Sequence, residues 1–112
     1  MKNGKNMKTV FEKIILKELP ADIIYENELV LVIRDIAPQA PIHYLILPKK
    51  KYISVSDIPV SELYIIQEMF AVAQILARMI NRDCAYKLII NNGSSAGQVV
   101  FYLHMHFLSW EA

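Results

Sequence analysis

His104 and His106 are two of the three histidines in the chain, and they lie two positions apart near its C-terminal end. From Phe101 onward, the stretch 98–108 around them alternates between two sets of side chains. Since successive side chains of a strand point to opposite faces, Tyr102 would share one face with both imidazoles. The other face would be apolar, with Leu103, Met105 and Phe107. The sequence therefore predicts a strand that carries two titratable rings, roughly 7 Å apart at their Cα atoms, and packs its other face on a core.

Two neighbouring imidazoles on a rigid strand could carry out phosphate chemistry. A neutral imidazole can attack phosphorus and form a covalent nucleotidyl-histidine, which divides one difficult displacement into two easier ones. A second imidazole can protonate the leaving group and later accept a proton from water, because its ordinary pKa lies near neutral pH. The loop 91–97 before the strand contains Gly93 and Gly97 and is suited to turning backbone N–H groups toward an anion.

Two other interpretations of these residues stay open. The histidines could be ordinary polar residues on a half-exposed strand, with the preceding loop a plain turn. They could also bind zinc, because imidazole is the commonest metal ligand, with His43 as a third ligand. Zinc usually has three or four protein ligands, however, and the lone Cys84 lies far from the histidines in the pattern.

The length of 112 residues and the composition predict one domain, 9–112, preceded by a flexible N-terminal tail, 1–8. A hydrophobic fraction of 54% in so short a chain suggests that part of the apolar surface is buried against a second copy. The net charge of +1 gives no electrostatic footprint for nucleic acid or for an anionic membrane.

The cysteine content and the apolar runs favour a cytoplasmic location. Cys84 is the only cysteine, which excludes an intrachain disulfide and fits a reducing compartment. The charged segment 1–8 leads into no apolar region of the kind found in a signal peptide. No apolar run looks long enough to span a bilayer. We therefore expect neither a membrane nor a nucleic acid among the partners.

The patterning along the chain predicts an antiparallel α+β domain with five strands, one short helix and one long helix. Thr9 is a candidate N-cap of the short helix, which Pro20 would end. Ser61 is a candidate cap of the long helix, 62–81. The predicted strands are 23–26, 29–34, 43–47, 86–90 and the histidine strand. The predicted apolar face of the long helix contains Leu63, Ile66, Phe70, Ala73 and Ala77.

The segment 97–108 resembles the signature of the histidine-triad (HIT) superfamily, His-φ-His-φ-His-φ-φ with φ apolar. The segments 11–15, 35–49 and 91–93 resemble the Hint branch of that family in the same order and spacing. The similarity extends over residues 9–108. Several motifs in one order are far more specific than the histidine pattern alone.

The resemblance implies a nucleotide-binding α+β homodimer whose two subunits join into one continuous sheet. It implies hydrolysis of purine nucleoside phosphoramidates or nucleotidyl esters of the AMP or GMP type, with no cofactor and no metal ion. The covalent intermediate would form on His104, which matches the middle histidine of the triad. His106 would contact the phosphate and assist proton transfer, and His43 would support the nucleophile.

The resemblance also implies a set of nucleotide-binding residues. Asp35 matches an acidic residue that binds the ribose, and Asn91 matches an asparagine that contacts the nucleotide. Taken singly, Asp35 could be only a turn residue, and the apolar positions fit a simple core better than a base pocket. The remaining positions are Phe11, Ile14, Ile33 and Ile36 for the base, and Gly97, Gln98 and Val99 as further nucleotide-binding positions.

Three positions depart from the family pattern. Tyr102 replaces the first triad histidine, but the backbone carbonyl that orients the nucleophile in the family survives this change, so we expect slowed or retuned catalysis rather than its loss. Val99 replaces a hydroxyl common in the Hint branch near the phosphate, which removes a contact worth about 1–3 kcal/mol. The tail 109–112 differs from the one often found after the triad, so contacts to the leaving group stay open.

The leading hypothesis is therefore a hydrolase or transferase that acts on purine nucleotide conjugates. The alternative is a catalytically weakened nucleotide-binding or scaffold protein, in which Tyr102 and Val99 mark the loss of the chemistry. A zinc-binding module built on His43, His104 and His106 is the third hypothesis.

Overall fold

The computed structural model describes residues 7–111 of the chain. All strand pairs in this part are antiparallel, and they form one sheet in the order β1-β2-β3-β5-β4. The elements are two helices, α1 (Val10–Ile15) and α2 (Tyr64–Ile80), and five strands, β1 (Ile23–Glu26), β2 (Val30–Arg34), β3 (Ile42–Pro48), β4 (Lys87–Ile89) and β5 (Met105–Ser109). The predicted fold class, an α+β domain with a five-stranded antiparallel sheet, one long helix and one short helix, is confirmed.

The two faces of the sheet pack against different helices. On one face, strand side chains such as Val32 and Ile46 pack against α2, and this cluster also contains Leu103, Met105 and Phe107. On the other face, Phe11 and Ile14 of α1 pack against a second cluster, which consists of Leu31, Ile33, Leu45, Leu47 and Tyr102. The predicted division of the histidine segment, with Tyr102 on one face and the three apolar residues on the other, is confirmed.

The histidine strand is shorter than predicted, because β5 begins at Met105. The residues just before it are not paired in the sheet: the Leu103 N–H donates to the Tyr52 carbonyl at 2.7 Å. The Tyr102 hydroxyl donates to the carbonyl of Pro48, the last residue of β3. The division between the two faces persists through this segment although the chain bends at residues 100–102 and no ladder continues there.

The predicted apolar face of α2 was right at Ala73, and Ile66 and Ala77 pack against the same cluster, but it was wrong at Leu63 and Phe70. Leu63 and Phe70 are 44% and 48% exposed. The side chains that reach the core are Ile65, Met69, Val72, Ala73 and Leu76. The helix is apolar around much more than one stripe, so two neighbouring stripes satisfy the same spacing. Ser61 does not cap the helix; it lies in a 3-10 turn, Val60–Glu62, that leads into it.

The start of α1 was predicted correctly and its end was not. The Thr9 hydroxyl accepts the Glu12 N–H at 3.1 Å, and the Glu12 carboxylate accepts the Thr9 N–H at 2.9 Å, which completes a capping box. The helix ends at Ile15, well before Pro20, because Lys17 adopts a left-handed backbone with φ of 64°. The capping box and this early stop fix the position of Phe11 over the sheet.

The described residues do not include most of the predicted N-terminal tail. Of the predicted flexible tail 1–8, residues 1–6 lie outside the described residues, as does Ala112.

Within the described part, the segment Val60–Ile80 is long and apolar enough to cross a membrane, so the expectation that no run reaches that length was wrong. Length and composition are weak evidence for a span here, because core helices meet the same criterion and α2 packs against the sheet.

Candidate active site

His104 lies immediately before β5 and is held by the backbone two residues upstream. Its Nδ1 atom is 2.7 Å from the Tyr102 carbonyl oxygen. A carbonyl can only accept, so Nδ1 carries the proton and Nε2 keeps its lone pair. The edge of the imidazole meets the Phe11 ring at a centroid distance of 5.0 Å. Burial lowers the pKa of His104, which keeps the ring neutral and Nε2 nucleophilic.

His106, on β5, is joined to His43, on β3, by a hydrogen bond of 2.9 Å between His106 Nδ1 and His43 Nε2. The Gln39 N–H donates to His43 Nδ1 at 3.0 Å. His43 therefore carries its proton on Nε2 and donates it to His106, whose own proton must lie on Nε2. The backbone N–H of Gln39 therefore sets which nitrogen of each of the two histidines carries the proton.

Burial and two neighbouring imidazoles act together on His106. They lower the pKa of His106 to about 4, with burial the largest cause, followed by His104 and His43. The negative charge of Asp35 acts in the opposite direction. The ring centroids of His104 and His106 are 5.1 Å apart, close enough to serve one phosphorus atom between them.

Asp35 follows β2 at the start of the loop that returns to β3. Its N–H donates to the His43 carbonyl at 2.9 Å, which sets the loop against β3. One carboxylate oxygen, Oδ1, accepts the Ala37 N–H at 2.8 Å. The other, Oδ2, lies 3.4 Å from His43 Nε2. The carboxylate therefore faces the proton-bearing nitrogen of the histidine pair.

All three histidines line one cavity of about 810 Å³, a size typical of small-molecule sites. Apolar side chains from α1 and the sheet form one end of it. Of the residues that the sequence pointed to, the structure brings together His43, His104, His106, Asp35, Asn91, Gly97, Val99, Phe11, Ile14, Ile33 and Ile36 around this cavity. Val99 is 83% exposed and Ile36 is fully exposed, so both stand at the mouth.

Gln98, which was predicted to bind the nucleotide, is not among the residues that line the cavity. Its side chain is buried and accepts the Gly93 N–H at 2.8 Å while donating to the carbonyls of Ile53 and Val100 at 2.6 and 3.1 Å. The backbone of the loop is left-handed at Gly97, with φ of 96°, and that residue does reach the cavity. Gln98 thus holds the loop in place from behind.

Sequence reasoning missed the far end of the cavity, which is formed by Lys87, Ile89, Leu108 and Trp110. The Lys87 ammonium lies 5.4 Å from the centroid of the Trp110 ring. Extending the alternation from His106 by four residues would have found Trp110. Lys87 gave no local signal, because it reaches the site only through the pairing of β4 with β5.

The donor atoms do not fit the zinc hypothesis well. Oxygen or nitrogen atoms of Asp35, His43 and His106 lie within 4.8 Å of one another, the spacing of a metal site. A metal-bound histidine keeps its proton on the other nitrogen, where it donates a hydrogen bond. His43 Nδ1 instead accepts from Gln39, so a metal on Nε2 would require a fully deprotonated ring. Both the set of Asp35, His43 and His106 and the predicted set of His43, His104 and His106 contain His43. The conflict therefore applies to both sets.

Comparison with known proteins agrees with this architecture. A curated relative, an uncharacterized HIT-like protein of Chlamydia muridarum, is 39% identical over 105 residues, covering 94% of this chain and 83% of that protein. A crystal structure of a HIT family hydrolase from Legionella pneumophila superimposes with a TM-score of 0.87 at 34% identity, covering 91% and 92% of the two chains. A Zn-bound histidine triad family protein from Mycobacterium smegmatis gives a TM-score of 0.79 at 34% identity, covering 90% and 73%.

The sequence model of the HIT domain matches residues 16–112, which includes every strand of the sheet and all three histidines but not α1. Most of the chain is therefore matched. The protein belongs to the HIT domain family.

Proposed function

We propose that this protein hydrolyses or transfers the nucleotidyl group of purine nucleoside phosphoramidates or related AMP-type conjugates, through a covalent intermediate on His104. The observation that carries the proposal is the hydrogen bond from His104 Nδ1 to the Tyr102 carbonyl, because it leaves the Nε2 lone pair free beside the cavity. The similarity to a protein named as a HIT family hydrolase supports hydrolytic chemistry.

The first half of the reaction forms the intermediate. The His104 Nε2 lone pair attacks phosphorus, a nitrogen–phosphorus bond forms, and the bond from phosphorus to the leaving nitrogen breaks. The leaving nitrogen takes a proton from His106 and departs as an amine. An anionic phosphate raises the proton affinity of the adjacent ring, so substrate binding itself favours the protonated His106 that this step needs.

The second half releases the nucleotide. A water oxygen attacks phosphorus on the opposite side from His104, gives its proton to His106, and the bond between phosphorus and His104 Nε2 breaks. The products are a nucleoside monophosphate and a neutral His104, whose Nδ1–H has donated to the Tyr102 carbonyl throughout. His106 ends the cycle with the proton that the next leaving group will take.

We propose a place in the cavity for each part of the nucleotide. We assign the apolar end formed by Phe11, Ile14 and Ile33 to the purine base, and the Asp35 carboxylate to the ribose hydroxyls. Gly97 and Asn91 are assigned to the phosphate and sugar. Replacement of the first triad histidine leaves this scheme intact, because Tyr102 acts on His104 through its backbone.

Trapping of the intermediate tests the proposal. The protein is mixed with adenosine 5′-phosphoramidate, quenched rapidly, and digested with trypsin at neutral or alkaline pH because phosphohistidine bonds are labile to acid. The peptide 88–112 contains both His104 and His106, so its fragment ions decide which histidine carries the adenylyl group. We expect it on His104. His104→Ala, the matched control, forms no adduct and no AMP.

Two outcomes contradict the proposal. An adduct on His106 would reassign the nucleophile. AMP binding by calorimetry with no adduct on any histidine and no turnover would favour the nucleotide-binding scaffold instead.

The assembly and location follow as part of the same proposal. We propose a homodimer in which β4, a strand at the edge of the sheet, pairs with its copy, supported by the exposed side chains of Tyr86 and Ile89 on and beside that strand. We also assign the protein to the cytoplasm, consistent with a single free cysteine, Cys84. Sedimentation equilibrium tests the dimer; a monomer at all concentrations would contradict it.

A further inference from the structure

We propose that Asp35, beyond any contact with ribose, is a positioning residue for proton transfer: its Oδ2 atom gives the His43 Nε2–H a second acceptor and thereby allows His106 to hold the second proton that protonates the leaving group. The inference rests on the proposed function above. Its basis is the pair of distances from His43 Nε2, 2.9 Å to His106 Nδ1 and 3.4 Å to Asp35 Oδ2.

Protonation of His106 would create a conflict without this carboxylate. A doubly protonated His106 carries a proton on Nδ1, which would then face the proton on His43 Nε2 across 2.9 Å. Two donors cannot share a hydrogen bond. The donor atoms of all three residues lie within 4.8 Å of one another, so small ring rotations let both N–H groups turn to the same carboxylate.

His43 cannot resolve the conflict by changing its tautomer. Its Nδ1 atom is occupied by the Gln39 N–H, so the proton on Nε2 has no other nitrogen to move to. The ring is also 3% exposed, which excludes rescue by bulk water. The second acceptor must therefore come from a neighbouring side chain.

Asp35 is the one carboxylate among the described residues that line the cavity. Its position is fixed by the Ala37 N–H on Oδ1, which leaves Oδ2 directed at the pair. The charged groups that other elements bring to the cavity are occupied elsewhere: Arg34 bonds Asp22 at 2.7 Å, and Lys87 lies over Trp110. His104 is the remaining titratable neighbour, and α1 presents only apolar side chains.

The test separates the two roles of Asp35 by removing the ribose hydroxyls from the substrate. Wild type and Asp35→Asn are compared on 2′,3′-dideoxyadenosine 5′-phosphoramidate, with kcat and kcat/KM measured from pH 5 to pH 9. The asparagine side chain can still accept the Ala37 N–H through its amide oxygen, but it lacks the charge. Asp83→Asn is the matched control, because it removes one exposed carboxylate that does not line the cavity.

The carboxylate raises the proton affinity of His106, so its removal lowers the pH at which the acid is lost. We expect the alkaline limb of the kcat profile of Asp35→Asn to move down by about one pH unit. At the pH optimum of wild type we expect kcat to fall about tenfold, and KM for this substrate to change little. Asp83→Asn should match wild type.

Unchanged kcat and an unchanged pH profile for Asp35→Asn on the dideoxy substrate would overturn the inference and leave Asp35 as a ribose ligand only. Failure of wild type to process any phosphoramidate would instead overturn the proposed function. Should Asp35→Asn fail to fold by circular dichroism, Asp35→Ser, which can also accept the Ala37 N–H, is judged by the same criterion. An NMR titration of the His106 ring gives an independent readout: its pKa should be lower in the variant, and an equal pKa would contradict the inference.

Discussion

The two faces of the sheet differ in how completely a helix covers them. α2, with 17 residues, closes one face, and the β5 side chains that point there, Met105 and Phe107, are at most 1% exposed. α1 has six residues and covers only part of the other face. Beyond it the sheet stays open toward β4, where Ile89 is 39% exposed and Trp110 is 56% exposed. One strand thus supplies stability on one side and a reactive cavity on the other.

This asymmetry determines where chemistry can be placed in so small a domain. A fully packed face excludes water and ligands and contributes most of the apolar burial. A partly covered face can bury an imidazole enough to keep it neutral while leaving one nitrogen accessible. Substitutions on the open face should therefore lower activity more than stability, and substitutions on the packed face should lower stability more than activity.

His104→Ala should produce the largest effect on activity and little effect on stability. Loss of a nucleophile that acts as part of a unit costs about a thousandfold or more in turnover. The side chain points into the cavity, so we expect the unfolding midpoint in urea to change little. A variant with more than a tenth of wild-type turnover would show that His104 is not the nucleophile.

Met105→Ala, one residue later on the packed face, should do the reverse. Met105 is 1% exposed in the α2 cluster, and truncation of such a side chain costs about 2–5 kcal/mol in the free energy of unfolding. Folded protein should keep turnover within a few-fold of wild type at low temperature. A loss of activity as large as that of His104→Ala, in protein that is still folded, would show that the two faces are not separable.

Gln98→Ala should weaken both stability and substrate binding, because Gln98 supports the cavity from outside. Three backbone groups lose their partner, and the expected cost is about 1–3 kcal/mol. We expect KM to rise more than kcat falls, since the loop that carries Asn91 and Gly97 loses its support. Asn92→Ala, which removes a single exposed bond to the Val55 N–H, is the control and should change both quantities less. Equal effects of the two variants would contradict a special role for Gln98.

Acid should destabilise the protein through the open face. The pKa of His106 is lowered from 6.5 to about 4 in the folded protein. Between these pH values His106 is protonated in the unfolded chain but not in the folded protein. Stability from this group is present above pH 6.5 and is lost as the pH falls toward 4. The expected loss is about 2 kcal/mol at most between pH 6.5 and pH 5 for this one residue. Urea unfolding at the two pH values measures it, and His106→Gln should show a smaller loss than wild type.

Much of this arrangement could be predicted from local sequence patterns. Alternation assigned the faces of the histidine segment correctly even though only its last part forms a strand. The cap at Thr9 was readable because both halves of a capping box lie within four residues. The residues named for the nucleotide site, except Gln98, meet around one cavity, although their roles stay predictions.

The parts that could not be predicted depend on contacts distant in sequence. Nothing near Gln98 shows that its amide binds Ile53, and nothing near Lys87 shows that β4 pairs with β5 beside the cavity. The buried face of α2 was misjudged at Phe70, because Phe70 and Met69 are both apolar and only packing decides between them. The proton positions on the histidines were equally hidden, since they depend on backbone groups of Tyr102 and Gln39.

The bond from the Gln39 backbone to His43 gives the histidine pair a direction. From Gln39 through His43 to His106, every N–H in the series points the same way, toward the cavity. A peptide amide is present whichever side chain occupies position 39, with proline the exception. The direction of this series of hydrogen bonds is therefore set by the backbone of a loop rather than by any side chain. Residue 39 can change to any residue except proline without reversing that direction.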